Sequence, residues 1–320
     1  MDKLKFAKAD SIARSFTAEH IKNLPLLVHG LTSNLDSDVQ KFRAIYTWVC
    51  THVKSDYRSY TNTLNKRKRF SKKPQKFKEW NDTYLPKVFK RLIEHRTTAC
   101  TGYSYLVRQM ALLADLQCEI VDGFGRTATT EFKKNATPNH SWNAIKLDDI
   151  WFLCDATWSA GRIVFDEDIP RFQFDYSDGY FLARPKLFSK NHYPVDKKWL
   201  LLDEAFSFQD FVNGPLIYKG AFEHQIIPVY PENMIAQADV GKPVPFRFSM
   251  ANALEGNTIK LLIMKGDSKS EHEYNPVKSA SNYTVHHIFD KSGVYDVHVM
   301  LDGTPAITYT VRVTKNSSYP

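Results

Sequence analysis

The residues of this chain best suited to covalent chemistry are Cys100, His140 and Asp155. Cys100 follows Arg96-Thr97-Thr98-Ala99, where an apolar helical stripe begins: Cys100, Tyr103, Leu106, Val107, Met110, Leu113 and Ala114. A thiol in the first turn of a helix meets unpaired backbone N–H groups and the positive end of the helix dipole, and both favour the thiolate. His140 stands in Asn139-His140-Ser141-Trp142-Asn143-Ala144, and Asp155 in Trp151-Phe152-Leu153-Cys154-Asp155-Ala156-Thr157-Trp158. A thiol, an imidazole and a carboxylate are the parts of an acyl-transfer site, in which the thiolate attacks a carbonyl, the imidazole moves the proton and the carboxylate orients the ring. Taken singly, each residue is better explained by core packing. Their order and the elements beneath them point to chemistry.

Those elements can be read from pattern and register. Residues 140–147 and 150–157 form two strand-like runs joined at Asp148-Asp149. With that turn Leu147 faces Ile150, His140 faces Thr157 and Trp142 faces Asp155. His140 and Asp155 then share one face as diagonal neighbours, about 7–8 Å apart at the backbone, close enough for the carboxylate to accept the Nδ1 hydrogen. A one-residue bulge would move Asp155 to the other face, and in this register Cys154 must point away from His140. Thr97 or Thr98 is the expected N-cap of the Cys100 helix, and Glu119-Ile120-Val121 is a strand leading into a Gly123/Gly125 turn. Ser37-Asp38-Val39-Gln40 reads as a capping box, heading a helix to about Val53 with Val39, Phe42, Ile45, Tyr46, Val49 and Cys50 on its buried stripe.

Residues 1–36 read as short helical material broken at Pro25 and Gly30, and 85–93 as a short amphipathic piece. Beyond the hairpin, Trp199-Leu200-Leu201 is a candidate packing anchor and Asn213-Gly214-Pro215 a candidate boundary. Runs at 244–250, 259–264, 294–300 and 307–313 are short strands, with Asp302-Gly303 as a tight turn between the last two. This half reads as a small antiparallel β-sandwich of immunoglobulin-like type.

The 320 residues, 43% hydrophobic and 13% aromatic, supply apolar material for one large or two ordinary domains. No run of about 18 apolar residues marks a membrane span. Met1-Asp2-Lys3-Leu4-Lys5-Phe6 has no apolar leader core, so a complete chain is expected in the cytoplasm and a chain trimmed of its leader in a secreted or periplasmic compartment. Cys50, Cys100, Cys118 and Cys154 stand far apart with no Cys-x-x-Cys pair, which excludes the usual zinc or thioredoxin-like spacing and gives no disulfide framework. Cys50, Cys118 and Cys154 read as small buried hydrophobes. No cofactor or metal is expected; Asp166-Glu167-Asp168 lacks the ligand spacing of a calcium loop and reads as a solvated turn.

The formal charge of +8 is concentrated in residues 66–78, which hold eight cations and no acid. Lys66, Arg67, Lys68, Arg69, Lys72 and Lys73 are candidate contacts to an anionic partner. With Phe70 and Phe77 as the segment's stacking groups, the plainer reading is a solvated, mobile insertion.

Ala99-Cys100-Thr101-Gly102-Tyr103-Ser104, the His140 motif and the Asp155 motif extended through Ser159-Ala160-Gly161 together resemble the transglutaminase-like superfamily, in particular its kyphoscoliosis-peptidase branch. The resemblance extends from Lys41-Phe42-Arg43-Ala44-Ile45-Tyr46-Thr47-Trp48-Val49 and Tyr57 to Tyr180-Phe181-Leu182 and Lys198-Trp199-Leu200-Leu201, covering roughly residues 37–205. It implies an α+β fold: a papain/transglutaminase-like core with a nucleophile helix on an antiparallel sheet, followed by an all-β immunoglobulin-like sandwich. Cys100 would be the nucleophile, His140 the general base and acid and Asp155 the orienting carboxylate, with Trp142, Tyr103 and Trp158 as candidate lining residues. Ala99 stands where the family often has glycine, and Cys154 where it usually has an aliphatic residue; neither removes a catalytic group. The expected organisation is an N-terminal helical extension over 1–36, a catalytic domain over 37–215 and the sandwich over 222–316. The expected activity is cysteine-dependent hydrolysis of a protein or peptide amide, with protein crosslinking or a non-catalytic binding scaffold as alternatives.

Overall fold

The computed structural model describes residues 6–132, 136–250, 259–279 and 281–315; the side chains of Pro74, Phe77, Lys78, Asn81, Asp82 and Leu85 also lie outside the described residues. The chain divides into two units, residues 1–125, 133–184 and 194–201 in one, and 126–132, 185–193 and 202–320 in the other.

The first unit is assembled on three helices, α1 (Ala7–Ser15), α2 (Leu24–Thr32) and α3 (Asp38–His52). The predicted stripe of α3 is buried from Phe42 to Cys50, Val39 is partly buried against the same core, and Arg43 and Thr47 are buried as well. Asp10 of α1 accounts for these polar residues: its carboxylate accepts Arg43 Nε at 2.6 Å, Arg43 Nη2 at 2.9 Å and Thr47 Oγ1 at 3.0 Å. A buried cation held this way is stabilised only while its partners remain. Phe6, Ala9, Ala13, Leu27, Val28 and Leu31 share one core with Phe42, Tyr46 and Trp48. Pro25 and Gly30 do not break α2. Proline occupies the first turn, where no N–H is needed, and glycine lets Phe16 lie against the helix, since a Cβ there would stand 2.3 Å from Phe16 Cζ. Ser37 is the N-cap of α3, but its side chain makes no capping bond, so the capping box does not form. Its backbone carbonyl instead takes the Gln40 and Lys41 N–H groups, both at 3.0 Å.

A two-residue parallel pair, β1 (Lys54–Ser55) with β2 (Thr97–Thr98), brackets two helices, α4 (Tyr57–Phe70) and α5 (Pro74–His95). The basic segment is therefore helical rather than a loose insertion. Asp56 caps α4 by accepting the Arg58 and Ser59 N–H groups at 3.0 and 3.2 Å, Pro74 starts α5, and residues 85–93 belong to that 22-residue helix. Because β2 takes Thr97 and Thr98 into its pairing, neither caps the next helix, α6 (Cys100–Leu113); the N-cap is Ala99.

Helix α6 lies against an antiparallel sheet in the order β5 (Ile150–Cys154), β4 (His140–Leu147), β3 (Cys118–Gly125). Asn143 ties the two layers, donating to Ser104 O at 2.9 Å and Glu119 O at 3.2 Å. The hairpin register runs as expected from Leu147↔Ile150 to Asn143↔Cys154, and Asp148 and Asp149, at φ 48° and 62°, form the left-handed turn that suits twisted strands. Cys154 packs in the hydrophobic core. Two expectations fail at the strand ends. β5 stops at Cys154 and a short helix, α7 (Ala156–Ala160), begins, so Thr157 does not oppose His140. β3 continues through Gly123, which pairs with His140, instead of turning there. After α7, β6 (Gly161–Asp166) and β7 (Ile169–Phe174) form a hairpin whose exposed turn is Glu167-Asp168.

The second unit is a sandwich of two sheets. One orders Ile226–Tyr230, Pro243–Met250, Asn282–Ile288 and Val277–Ser279; the other orders Ile235–Asp239, Thr304–Thr314, Gly293–Leu301, Ile259–Lys265 and Ser268–Tyr274. The pairing is antiparallel except between 235–239 and 310–314, which run parallel. Inward residues such as Phe246, Phe248, Leu261, Val297, Val299, Tyr309 and Val311 are buried, and Asp302-Gly303 forms the predicted left-handed turn at φ 47° and 77°. Around the predicted boundary, the buried Arg126 guanidinium donates to the carbonyls of Phe211, Gly214 and Pro215 at 3.1, 2.6 and 3.2 Å.

Candidate active site

The end of β5 decides how the carboxylate meets the imidazole. Asp155 is the N-cap of α7, its Oδ1 accepting the Thr157 and Trp158 N–H groups at 2.8 and 3.3 Å. Its Oδ2 lies 2.7 Å from His140 Nε2. The predicted contact is therefore present, but on the other ring nitrogen. With the strand already ended, the carboxylate reaches the ε end of the ring, and Nδ1 is left for the thiol. His140 and Asp155 are 5% and 1% exposed, so their interaction is little screened by water.

Cys100 is the first residue of α6 and is buried, and His140 is the strongest influence favouring its thiolate. Gly102 fixes how the helix starts: a Cβ at this position would fall 1.8 Å from Thr98 Oγ1, so only glycine lets the first turn of α6 close on β2. A further glycine clears space for the imidazole: a Cβ on Gly125 would stand 3.1 Å from both His140 Cβ and Trp158 Cζ2, while Gly123 pairs with His140 in the ladder. Asn139 clasps Gly125, accepting its N–H at 2.7 Å and donating to its carbonyl at 2.9 Å. Trp158 stacks on the imidazole with centroids 5.0 Å apart, and Trp142 lies 6.0 Å away. Tyr103 does not share this ring cluster. It packs in the hydrophobic core and donates to Val53 O at 2.5 Å, because three residues along a helix carry it to the face that supports α6.

Burial is the largest influence on the Cys100 thiol and pushes its pKa up, but the hydrogen bond and charge of His140, followed by the charge of Arg67, bring it below the ordinary value. Burial likewise pushes His140 down, yet the charge and hydrogen bond of Asp155, with those of Cys100, raise it to about 10. The pair is thus biased toward thiolate and imidazolium. The other cysteines lack this environment: burial raises the thiols of Cys50 and Cys154 well above the ordinary value and pushes Cys118 up to about 12.

The basic candidates separate by position. Lys68, Arg69, Lys72 and Lys73 are exposed. Lys66 Nζ lies 5.8 and 5.9 Å from the ring centroids of Phe70 and Trp80. Arg67 instead turns inward, donating to Asp122 Oδ1 and Ser141 Oγ, both at 3.1 Å, and to the carbonyls of Pro138 and His140 at 3.3 and 3.5 Å. The charge run concealed this role. The signal that could have revealed it is the helical spacing of Tyr60, Leu64 and Arg67, which places Arg67 on the packed face.

Residues 26–156, which carry this constellation, match the family model for the transglutaminase-like superfamily. Kyphoscoliosis peptidase of Homo sapiens is 30% identical over 251 residues, covering 76% of this chain and 33% of that protein. Residues 26–156 are a transglutaminase-like domain. Hillarin of Drosophila melanogaster is 24% identical over 241 residues, 70% of this chain and 26% of that protein. The chain thus spans about a third or less of the length of these relatives. Among solved structures, the Lin-41 filamin domain covers 31% of this chain and 97% of its own, at 15% identity and a TM-score of 0.22.

Proposed function

We propose that this chain is a thiol-dependent acyl-transfer enzyme that hydrolyses a peptide or protein amide through Cys100, His140 and Asp155. The observation that carries the reading is the buried His140–Asp155 pair, 2.7 Å apart, whose imidazole is raised and favours the thiolate of the buried Cys100 at the start of α6. In the proposed reaction the Cys100 thiolate attacks the amide carbonyl, and the first-turn N–H groups of α6 receive the developing oxyanion. The C–N bond breaks as the His140 imidazolium donates its proton to the leaving amine, which leaves a thioester on Cys100. Neutral His140 then takes a proton from water as the water attacks the thioester; the acid departs and the thiol is restored. Asp155 holds the ring in one orientation and balances its charge.

The kyphoscoliosis peptidase relatives favour water as the acceptor over a lysine amine. Exposed Lys68, Arg69, Lys72 and Lys73 are proposed contacts for an anionic partner, whose retention should then weaken steeply with salt. Intact mass spectrometry with an activated ester or a peptide library tests the enzyme reading. The expected result is an acyl adduct on Cys100 that decays in water and is absent from Cys100→Ala. Transfer of the acyl group to added amine in preference to water would make the chain a crosslinking enzyme. A Cys100 that neither acylates nor alkylates faster than the other thiols would make it a scaffold.

A further inference from the structure

The guanidinium of Arg67 has an environment unlike that of its basic neighbours. Its side chain is 10% exposed, whereas Lys68, Arg69, Lys72 and Lys73 face solvent. Its two terminal nitrogens make four contacts, two of them to the carbonyls of Pro138 and His140, the stretch of backbone on which the imidazole is mounted. The other two reach Ser141 Oγ and Asp122 Oδ1, and Ser141 Oγ itself donates to the same Asp122 oxygen at 2.5 Å. The forked, planar donor set of arginine suits such a convergence; a lysine could make only part of it.

We infer that Arg67 is a positioning residue of the Cys100–His140 pair, an inference that rests on the thiol-enzyme reading: α4 delivers a guanidinium that pins the start of β4 and holds a positive charge beside the thiol. The groups whose charges act on that thiol are His140 from β4, Asp155 from the end of β5, and Arg67 and Tyr60 from α4. Asp155 opposes the thiolate, and Tyr60 is uncharged below its raised pKa, so Arg67 is the fixed cation of the set. Asp122, the ion partner of Arg67, is 58% exposed and screened by water, so it cancels only part of the guanidinium field at the buried thiol. The basic helix α4 is on this account part of the site's machinery, through one residue of the charge run.

The test is the pH dependence of Cys100 alkylation by iodoacetamide, followed by peptide mapping in the full chain and in Arg67→Met and Arg67→Lys variants. Arg67→Met is expected to raise the alkylation midpoint by about one pH unit, slowing labelling on the acid side roughly tenfold. Arg67→Lys should recover most of the midpoint because it keeps the charge, while lowering the rate of acyl transfer because it anchors the Pro138–His140 backbone less well. An Arg67→Met midpoint equal to that of the parent protein, or equal shifts in both variants, would overturn the inference and leave Arg67 a packing residue. If Cys100 of the parent protein shows no lowered midpoint at all, the enzyme reading itself fails, a result distinguishable from the first.

Discussion

At the scale of residues, Asp155 has two roles that a pair of substitutions should separate. Its Oδ1 caps α7 while its Oδ2 holds His140. Asp155→Asn can keep the cap and a hydrogen bond to the ring but removes the charge that raises His140. Its stability should stay within about 1 kcal/mol of the parent, while thioester formation falls by about two orders of magnitude or more. Asp155→Ala should lose about 1 kcal/mol more through the missing cap. Urea unfolding read beside acylation rate distinguishes them, and equal rates for the parent and Asp155→Asn would remove the carboxylate from the proposed mechanism. Native alkylation should also be selective: Cys100 labels below the ordinary thiol range, whereas Cys50, Cys118 and Cys154, pushed upward by burial, stay unlabelled until the protein unfolds. Because the folded-state pKa of His140 lies near 10, above the ordinary imidazole value of 6.5, its contribution to stability is complete below pH 6.5 and is lost as pH rises through about 10. Urea midpoints that rise across this interval would contradict the ion pair.

At the scale of elements, the start of α6 is set by steric closeness rather than by a side-chain cap. Thr98 is committed to β2, Ala99 cannot cap, and Gly102 lets the first turn of α6 close on Thr98 Oγ1. Gly102→Ala should improve intrinsic helix propensity yet destabilise the protein by about 1–3 kcal/mol, because the added methyl must displace β2 or tilt α6. It should also slow Cys100 acylation, since the thiol sits two residues before it in the same first turn. Thermal unfolding of this variant is the direct measurement, and a raised Tm would show that the helix start is free to shift.

At the scale of the whole molecule, the N-terminal helices belong energetically to the unit that carries the site. Asp10 supplies a carboxylate to the buried Arg43 of α3, and Phe6, Ala9, Ala13, Leu27 and Leu31 complete the core around Trp48. A chain begun at residue 37 would leave Arg43 without one of its two carboxylate partners and uncover that apolar surface; loss of the ion pair alone costs on the order of 3 kcal/mol. Such a chain should lose cooperative unfolding of this unit by near-ultraviolet circular dichroism. Retention of the parent transition would mean that residues 1–36 are dispensable to the core.

The sequence by itself determined the parts of the site governed by local periodicity. The helical stripe after Cys100, the alternating runs around Asp148-Asp149 and the Asp302-Gly303 turn are properties of neighbouring residues, so helix start, hairpin register and tight turns could be counted out directly. Where strands end was decided by tertiary contacts. Asp155 leaves the ladder because its carboxylate caps α7, which changes the imidazole nitrogen it meets; β3 runs past Gly123 because β4 pairs with it there. Tyr103 belongs to the core because α6 presents that face to it. Arg67 is the sharpest case. Its formal charge is the same as that of its neighbours in the basic run, and only the packing of α4 against the start of β4 withdraws it from water and gives it four partners near the thiol.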